Sequence, residues 1–142
     1  MAVSGCPRNC SEATCKDVGV ICVDSGYEIH FAGAAGLDIK GTEVLGHVKT
    51  EDEVMETITA LVQLYREQGR YLERIYKWAK RVGSASIKAA VLENPERRKA
   101  LYDRFVVSQK FSQSDPWAER TQGFAAHEFR PMADLSFKQA AE

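Results

Sequence analysis

The chain has 142 residues, 44% of them hydrophobic and 27% charged, and its 19 basic and 20 acidic side chains leave a formal net charge of −1. This is the size of one ordinary domain with apolar material for a core of its own. Such a charge balance gives no strong field for nucleic acid or an anionic membrane. No apolar run reaches the ~18–20 residues that cross a bilayer, and the opening MAVSGCPRNC lacks the basic and apolar regions of a secretory signal.

Residues 1–10 are a cysteine-bearing lead. The stretch CSEATCKDVG that follows predicts a short helix, with Asn9 as N-cap, Glu12 at the acid position of a capping box, and an end near Gly19. VGVICV is a strand-length apolar run rich in β-branched residues, DSG at 24–26 is a tight turn, and YEIHFA alternates cleanly, so a hairpin is predicted. GAAG at 33–36 reads as a loop. LDIKGTEVL reads as a third strand, with Leu37 and Ile39 on one face and Asp38 and Lys40 on the other.

At Thr50 the period changes. Thr50 through Glu53 form a capping box, and Val54, Ile58, Leu61 and Tyr65 recur at helical spacing. Gly69 is a weak point where the chain bends or continues. Leu72, Ile75, Ala79 and Val82 make a second amphipathic stretch that stops at Gly83. SASIKAAVLE is a short helix closed by Asn94-Pro95, the same pair opens a helix to about Lys110 with Leu101 and Phe105 inward, and Asp115-Pro116 repeats the signal for WAER. Strands first and helices after predict an α+β domain, a small antiparallel sheet followed by a group of helices. The domain is read as residues 1–120, with 121–142 as a tail that is loosely ordered or docks elsewhere.

Chemistry concentrates at the start. All four cysteines, Cys6, Cys10, Cys15 and Cys22, fall within the first 22 residues. A disulfide framework would spread its bridges over the fold, so the clustering points to metal or redox chemistry in a reducing compartment, and a cytoplasmic location is expected. Thiolates are soft ligands for zinc, copper(I) and iron–sulfur clusters, and a proline-bearing C-x3-C loop brings two of them together. Loop N–H groups and a helix N-terminus are expected to face the anionic sulfurs. Closed zinc sites and cubane clusters each need four ligands. Cys15 lies more than a helical turn beyond Cys10, and Cys22 sits in an apolar strand between Ile21 and Val23, so both read as buried, inert thiols. From the residues alone two readings stand: a local four-cysteine zinc knot, or a half-site completed by another segment.

The remaining polar candidates have ordinary readings. His30 falls on the polar face of a strand, His47 in a connector and His127 in the tail, each as a surface or satisfied residue. Lys77, Lys80 and Arg81 form a short basic patch suited to a helix end. Tyr65, Tyr71, Tyr76 and Trp78 read as packing for a helix pair.

MAVSGCPRNCSEA resembles the second cysteine motif of the sirohaem and 4Fe–4S nitrite and sulfite reductases, and KDVGVICVDSGYEIHFAGAAG is similar to the segment that follows it in that family. LVQLYREQGRYLERIYKWAKRVG and SQSDPWAER are similar in particular to the large subunits of the NAD(P)H-dependent nitrite reductases, over about residues 1–120. The sulfite reductase haemoproteins more usually carry Cys-Pro-Asn-Gly-Cys at the motif. The resemblance implies a partial sirohaem–iron–sulfur domain. In it Cys6 is a cluster ligand, and Cys10 is a cluster ligand that also bridges to the sirohaem iron and so counts as the catalytic residue. Arg8 is a candidate contact to the macrocycle's carboxylates. Asn9 is counted with Cys6, Arg8 and Cys10 among the cofactor-binding residues, although its reading from the residues is a helix cap. The family's C-x5-C pair, its FAD and NAD(P)H modules and most of its sirohaem pocket are expected upstream, in a missing N-terminal part of the same enzyme, with a small subunit as a further partner. GAAG stands where relatives often carry a Gly-Gly-Asn type sequence, and Cys15 has no counterpart in the pattern.

The implied activity is reduction of nitrite to ammonia with electrons from NAD(P)H through the cluster and sirohaem, the chain alone being expected to be inactive and to need no bound cofactor of its own. The alternatives are a cysteine-rich zinc or iron–sulfur interaction module and a fragment of a sulfite reductase haemoprotein. No nucleic acid or membrane partner is expected.

Overall fold

Residues 1–112 are described in the computed structural model of the chain. The first element is one the sequence reading lacks: Ala2–Ser4 form a strand, β1, paired parallel to β2 (Val18–Val23) with Val3 opposite Val20. β3 (Gly26–Phe31) returns antiparallel to β2, and Val18 faces Phe31. The turn requires glycine, because Gly26 has φ 133° and a Cβ there would lie 2.4 Å from the Val48 carbonyl oxygen. β4 (Ala34–Ala35) and β5 (Ile39–Lys40) make a separate two-stranded hairpin, and β6 (Glu43–Val48) joins the main sheet beside β3, in the order β1-β2-β3-β6. The main sheet is therefore mixed, antiparallel except at its β1 edge.

Two strand expectations change. LDIKGTEVL is not one strand: it breaks at Gly41-Thr42, and Leu37 and Ile39 are 109% and 89% exposed, so the alternation in its first half marks a surface hairpin. GAAG, expected as loop, supplies β4. His47 lies inside β6, exposed, rather than in a connector.

The helical half follows its signals more closely. α1 (Glu51–Gln68) opens on a capping box in which Thr50 Oγ1 accepts from Glu53 N at 3.2 Å and Glu53 Oε2 accepts from Thr50 N at 3.2 Å. Gly69 closes it, donating to the Tyr65 carbonyl. The second helix does not start at Leu72, which has φ 60° and is 84% exposed, but at Ile75: α2 is Ile75–Val82. α3 (Ser84–Lys88) runs on into a π-helical turn, Ala89–Glu93, and α4 is Pro95–Ser112. The Asp115-Pro116 helix, the tail and His127 lie outside the described residues.

Met1–Val107 form one compact unit; of the unit that begins at Ser108, the described part is the end of α4. In the first unit, Val18, Val20, Ile29, Phe31 and Leu45 of the sheet pack in one apolar cluster with Leu61 and Leu64 of α1, Trp78 of α2, Ile87, Val91 and Leu101. Tyr65 meets Trp78 edge-on at 5.6 Å, but Tyr71, expected in the same packing, is 94% exposed in the connector between α1 and α2. No helix among the described residues is long and apolar enough to cross a membrane.

Candidate metal centre

A parallel strand pair needs a long connection, and between β1 and β2 that connection is residues 5–17, the cysteine loop. Successive turns build it. Asn9 N donates to the Cys6 carbonyl at 3.1 Å, Glu12 N to the Asn9 carbonyl at 2.9 Å and Cys15 N to the Glu12 carbonyl at 3.1 Å. Pro7 takes the second position of the first turn, where its fixed φ suits the geometry. Asn9 and Glu12 both have φ 55°, a left-handed conformation that asparagine tolerates better than most residues.

The expected helix over CSEATCKDVG is absent. What forms is a 3-10 turn, Ala13–Cys15, because the left-handed Glu12 interrupts any α-helix begun at Cys10. The thiols thus sit on turns and not at a helix N-terminus, and no macrodipole reaches them.

The far side of the loop is anchored in the fold. Ala13 is fully buried against β2, and Gly19 leaves the room: a Cβ there would lie 2.2 Å from the Ala13 carbonyl oxygen. Backbone bonds run from Ala32 N to Asp17 O at 2.9 Å, from Gly33 N to Lys16 O at 3.0 Å and from Thr42 N to Thr14 O at 2.9 Å. Arg74 closes on Asp17 with two bonds of 3.2 and 2.6 Å, and these raise its guanidinium above the ordinary arginine pKa.

On the near side Asn9 is the hub. Its Oδ1 accepts from Ala13 N at 2.7 Å and lies 3.1 Å from the buried Ser4 hydroxyl, and its Nδ2 donates to Thr14 Oγ1 at 2.6 Å. Ser11 Oγ lies 2.5 Å from Ser4 Oγ and donates to the Val3 carbonyl at 2.6 Å. Asn9 therefore caps the 3-10 turn through its side chain, four residues ahead, and is not the N-cap of a helix. Ser4, Ser11 and Thr14 carry no signal in the sequence, because small polar residues around a cysteine motif are too common to mark a network, and Gly19 reads there only as a helix end.

Cys6 and Cys10 are both exposed, as ligands to an external group need to be. Cys15 is partly exposed and its thiol turns back to the Glu12 carbonyl at 3.2 Å. Cys22 is also only partly buried, on the wall of an apolar cavity of about 350 Å³ that it shares with Val3, Tyr27, Val54 and Met55. Neither is the fully buried thiol expected: Cys15 lies on a surface turn, and the β1 edge beside Cys22 leaves it partly open. Among the described residues no three His, Cys, Asp or Glu side chains converge to hold a metal ion, so the four cysteines do not close a zinc knot.

Arg8 is exposed between the two thiols and makes no ion pair with a described residue. His30 is buried and satisfied, with Thr42 Oγ1 at 3.0 Å from Nδ1 and Glu28 Oε2 at 3.4 Å from Nε2. The basic patch on α2 does not stand free as a group. Arg81 binds Glu73 through bonds of 2.8 and 2.6 Å, and Lys77 lies over the Tyr76 ring at 5.6 Å. The Arg81 hydrogen bonds hold the Glu73 carboxyl down to about 2.

Comparison with known proteins gives this loop its context. A family model for the nitrite and sulphite reductase 4Fe-4S domain matches residues 1–99, a span that includes the cysteine loop and all of the sheet. The NAD(P)H nitrite reductase of Bacillus subtilis is 42% identical over 120 residues, covering 84% of this chain and 14% of that protein. The NAD(P)H nitrite reductase large subunit of Klebsiella oxytoca is 32% identical over 78 residues, which is 55% of this chain and 8% of that protein. An assimilatory-type sulfite reductase of Nitratidesulfovibrio vulgaris is 29% identical over 90 residues, 63% of this chain and 41% of that protein. The chain spans about 14% of the length of the Bacillus relative it matches over most of its own. With the match running through the exposed pair Cys6 and Cys10, the chain belongs to the nitrite and sulphite reductase 4Fe-4S domain family.

Proposed function

We propose that the chain is the C-terminal part of a sirohaem nitrite reductase that reduces nitrite to ammonia with electrons from NAD(P)H, and that it supplies half of the cluster's protein ligands. The observation that carries this reading is the exposed Cys6/Cys10 pair on an anchored loop, inside the 4Fe-4S family segment of a chain that is 42% identical to a nitrite reductase over 120 residues. The donor set fits an iron–sulfur cluster. Two soft thiols face outward four residues apart, and no oxygen or nitrogen ligand-type side chain joins them in a closed site among the described residues. A cubane needs four thiolates, so two more come from an upstream segment.

When bound, the cluster and sirohaem supply the one-electron steps of the reduction. This chain's residues hold and orient. Cys6 and Cys10 would ligate the cluster, Cys10 also lying toward the sirohaem, and the successive turns of the loop hold both exposed thiols. Arg8, exposed between them, offers its guanidinium to a carboxylate of the macrocycle. FAD and NAD(P)H bind on other modules of the same cytoplasmic enzyme, beside a small subunit. The family segment is taken as residues 1–120, with 121–142 as a separate tail.

The test is made in the longer protein that carries this segment. Cys10→Ser should abolish nitrite reduction and lower iron content, while Cys15→Ser and Cys22→Ser retain both. Equal losses from Cys15→Ser and Cys10→Ser would overturn the ligand assignment.

A further inference from the structure

We infer that Asn9 is the positioning residue of the cluster loop: it holds Cys6 and Cys10 ready through bonds made wholly within the protein and does not itself contact the cofactor. The inference rests on the reading of Cys6 and Cys10 as ligands. Three observations converge on it. Asn9 lies between the two thiols in sequence and closes the first turn, its N–H bonding the Cys6 carbonyl at 3.1 Å. Its amide ties the two ends of the loop together, reaching Ser4 at the end of β1 and Ala13 and Thr14 in the 3-10 turn. And its backbone sits at φ 55°, where asparagine is better tolerated than other side chains of its size.

Proton counting shows why the amide, and not the hydroxyls, is the fixed member. Ser4 and Ser11 have one hydroxyl proton each but share three close contacts: Ser4 to Asn9 Oδ1, Ser4 to Ser11, and Ser11 to the Val3 carbonyl. If Ser11 donates to Val3, Ser4 can donate to Ser11 and Asn9 Oδ1 receives from Ala13 alone. If Ser4 donates to Asn9, Ser11 must turn to Ser4 and release Val3. The bonds from Ala13 N to Oδ1 and from Nδ2 to Thr14 persist in both arrangements. The amide makes both from one rigid plane, with Thr14 as acceptor, whereas a carboxylate there would need the Thr14 hydroxyl to turn and donate. Aspartate keeps the acceptor and loses the donor, and glycine keeps the backbone freedom and loses both.

A preordered ligand pair loses less entropy on binding than a floppy one, so the consequence is read in cluster retention. Asn9→Gly leaves φ unstrained and removes the whole side chain while adding glycine's backbone freedom, and Asn9→Asp removes the Nδ2 donor alone. In the 142-residue chain, amides of residues 5–17 should exchange about tenfold faster or more in Asn9→Gly, the factor expected for two lost hydrogen bonds. Those of residues 18–31 should be unchanged. Unaltered exchange in 5–17 would overturn the inference. In the longer protein with its cluster assembled, Asn9→Gly should lose iron to a chelator about tenfold faster and shift the electron paramagnetic resonance of the reduced cluster, with Asn9→Asp in between as a partial rescue. An unchanged lifetime and spectrum would refute the positioning role even if the free loop loosens. Cys6→Ser in the same protein separates the two ideas: if it keeps a complete four-iron cluster, the ligand reading fails, and the exchange experiment alone decides what Asn9 does.

Discussion

Gly19 and Gly46 are equally crowded, but by neighbours of different kinds. A Cβ on Gly19 would meet the Ala13 carbonyl oxygen at 2.2 Å, and one on Gly46 would meet Leu92 Cδ2 at 2.3 Å. Backbone cannot swing aside, whereas a leucine can change rotamer. Gly19→Ala should therefore lift the 3-10 turn off the sheet and cost about 1–3 kcal/mol or more. Gly46→Ala should cost distinctly less, and the two denaturant midpoints measured side by side check the order. Gly19→Ala should also speed reaction of the loop thiols with a disulfide reagent. Residue by residue, the Cys6/Cys10 spacing and the embedded Pro7 mark a thiol-bearing loop, the ligand roles rest on the resemblance, and the side chains that hold the loop do not stand out. Asn9 read as a cap, correctly in chemistry and wrongly in target, because its partner Ala13 N belongs to a 3-10 turn that exists only when Glu12 adopts φ 55°. No local propensity of glutamate announces that conformation.

Elements with local signals appear where the sequence put them, and those set by distant partners do not. The capping box of α1, the glycine stop at 83 and the Asn94-Pro95 boundary all act within one turn of chain and are observed, while Gly69, read as a bend or a continuation, ends α1. Thr50→Ala should cost α1 about 1 kcal/mol, read as a lowered denaturant midpoint. β1 was invisible because three residues carry no period, and its pairing is with residues 17 positions away. The misplaced start of α2 has a similar cause. Leu72 fits the helical spacing, yet the connector is governed by Glu73, which receives Arg81 through two bonds and the Tyr65 hydroxyl on its carbonyl. This gives a pH prediction. The Glu73 carboxyl titrates at about 2, below its ordinary 4.5. A depressed carboxylate stabilises the fold above its unfolded pKa, and that contribution fades as pH falls from about 4.5 towards 2. Glu73→Gln should remove this part of the acid limb, so that stability measured against pH falls less steeply below 4.5 than in the parent. An identical acid limb in both proteins would show that the Arg81 bridge contributes nothing net.

At the scale of the whole unit, the core and the candidate metal centre are physically separate. The apolar cluster runs from Val18 and Phe31 through Leu61 and Trp78 to Val91 and Leu101 without any of the four cysteines. The loop is fastened to that core by Ala13 on Gly19, by backbone bonds at Ala32, Gly33 and Thr42, and by the Arg74–Asp17 pair, none of which involves a sulfur. Among the described residues no buried side-chain nitrogen or oxygen lacks a partner. A unit built this way folds first and offers its thiols afterwards, unlike a zinc finger, whose metal supplies roughly 10–16 kcal/mol of folding energy. The 142-residue chain, purified with chelator, should therefore show mixed α and β circular dichroism and one cooperative thermal transition. For a unit of this size, 1 kcal/mol moves the midpoint by about 4–8 °C. A metal that held the fold together would shift it by tens of degrees, and excess zinc followed by chelator should instead move it by less than about 4 °C. The Cys6→Ser/Cys10→Ser double variant should melt within the same margin, since neither exposed thiol contributes to the core. A coil spectrum without metal, or a midpoint that follows metal content by tens of degrees, would show that the thiols organise the fold and that the separation of core from site is wrong.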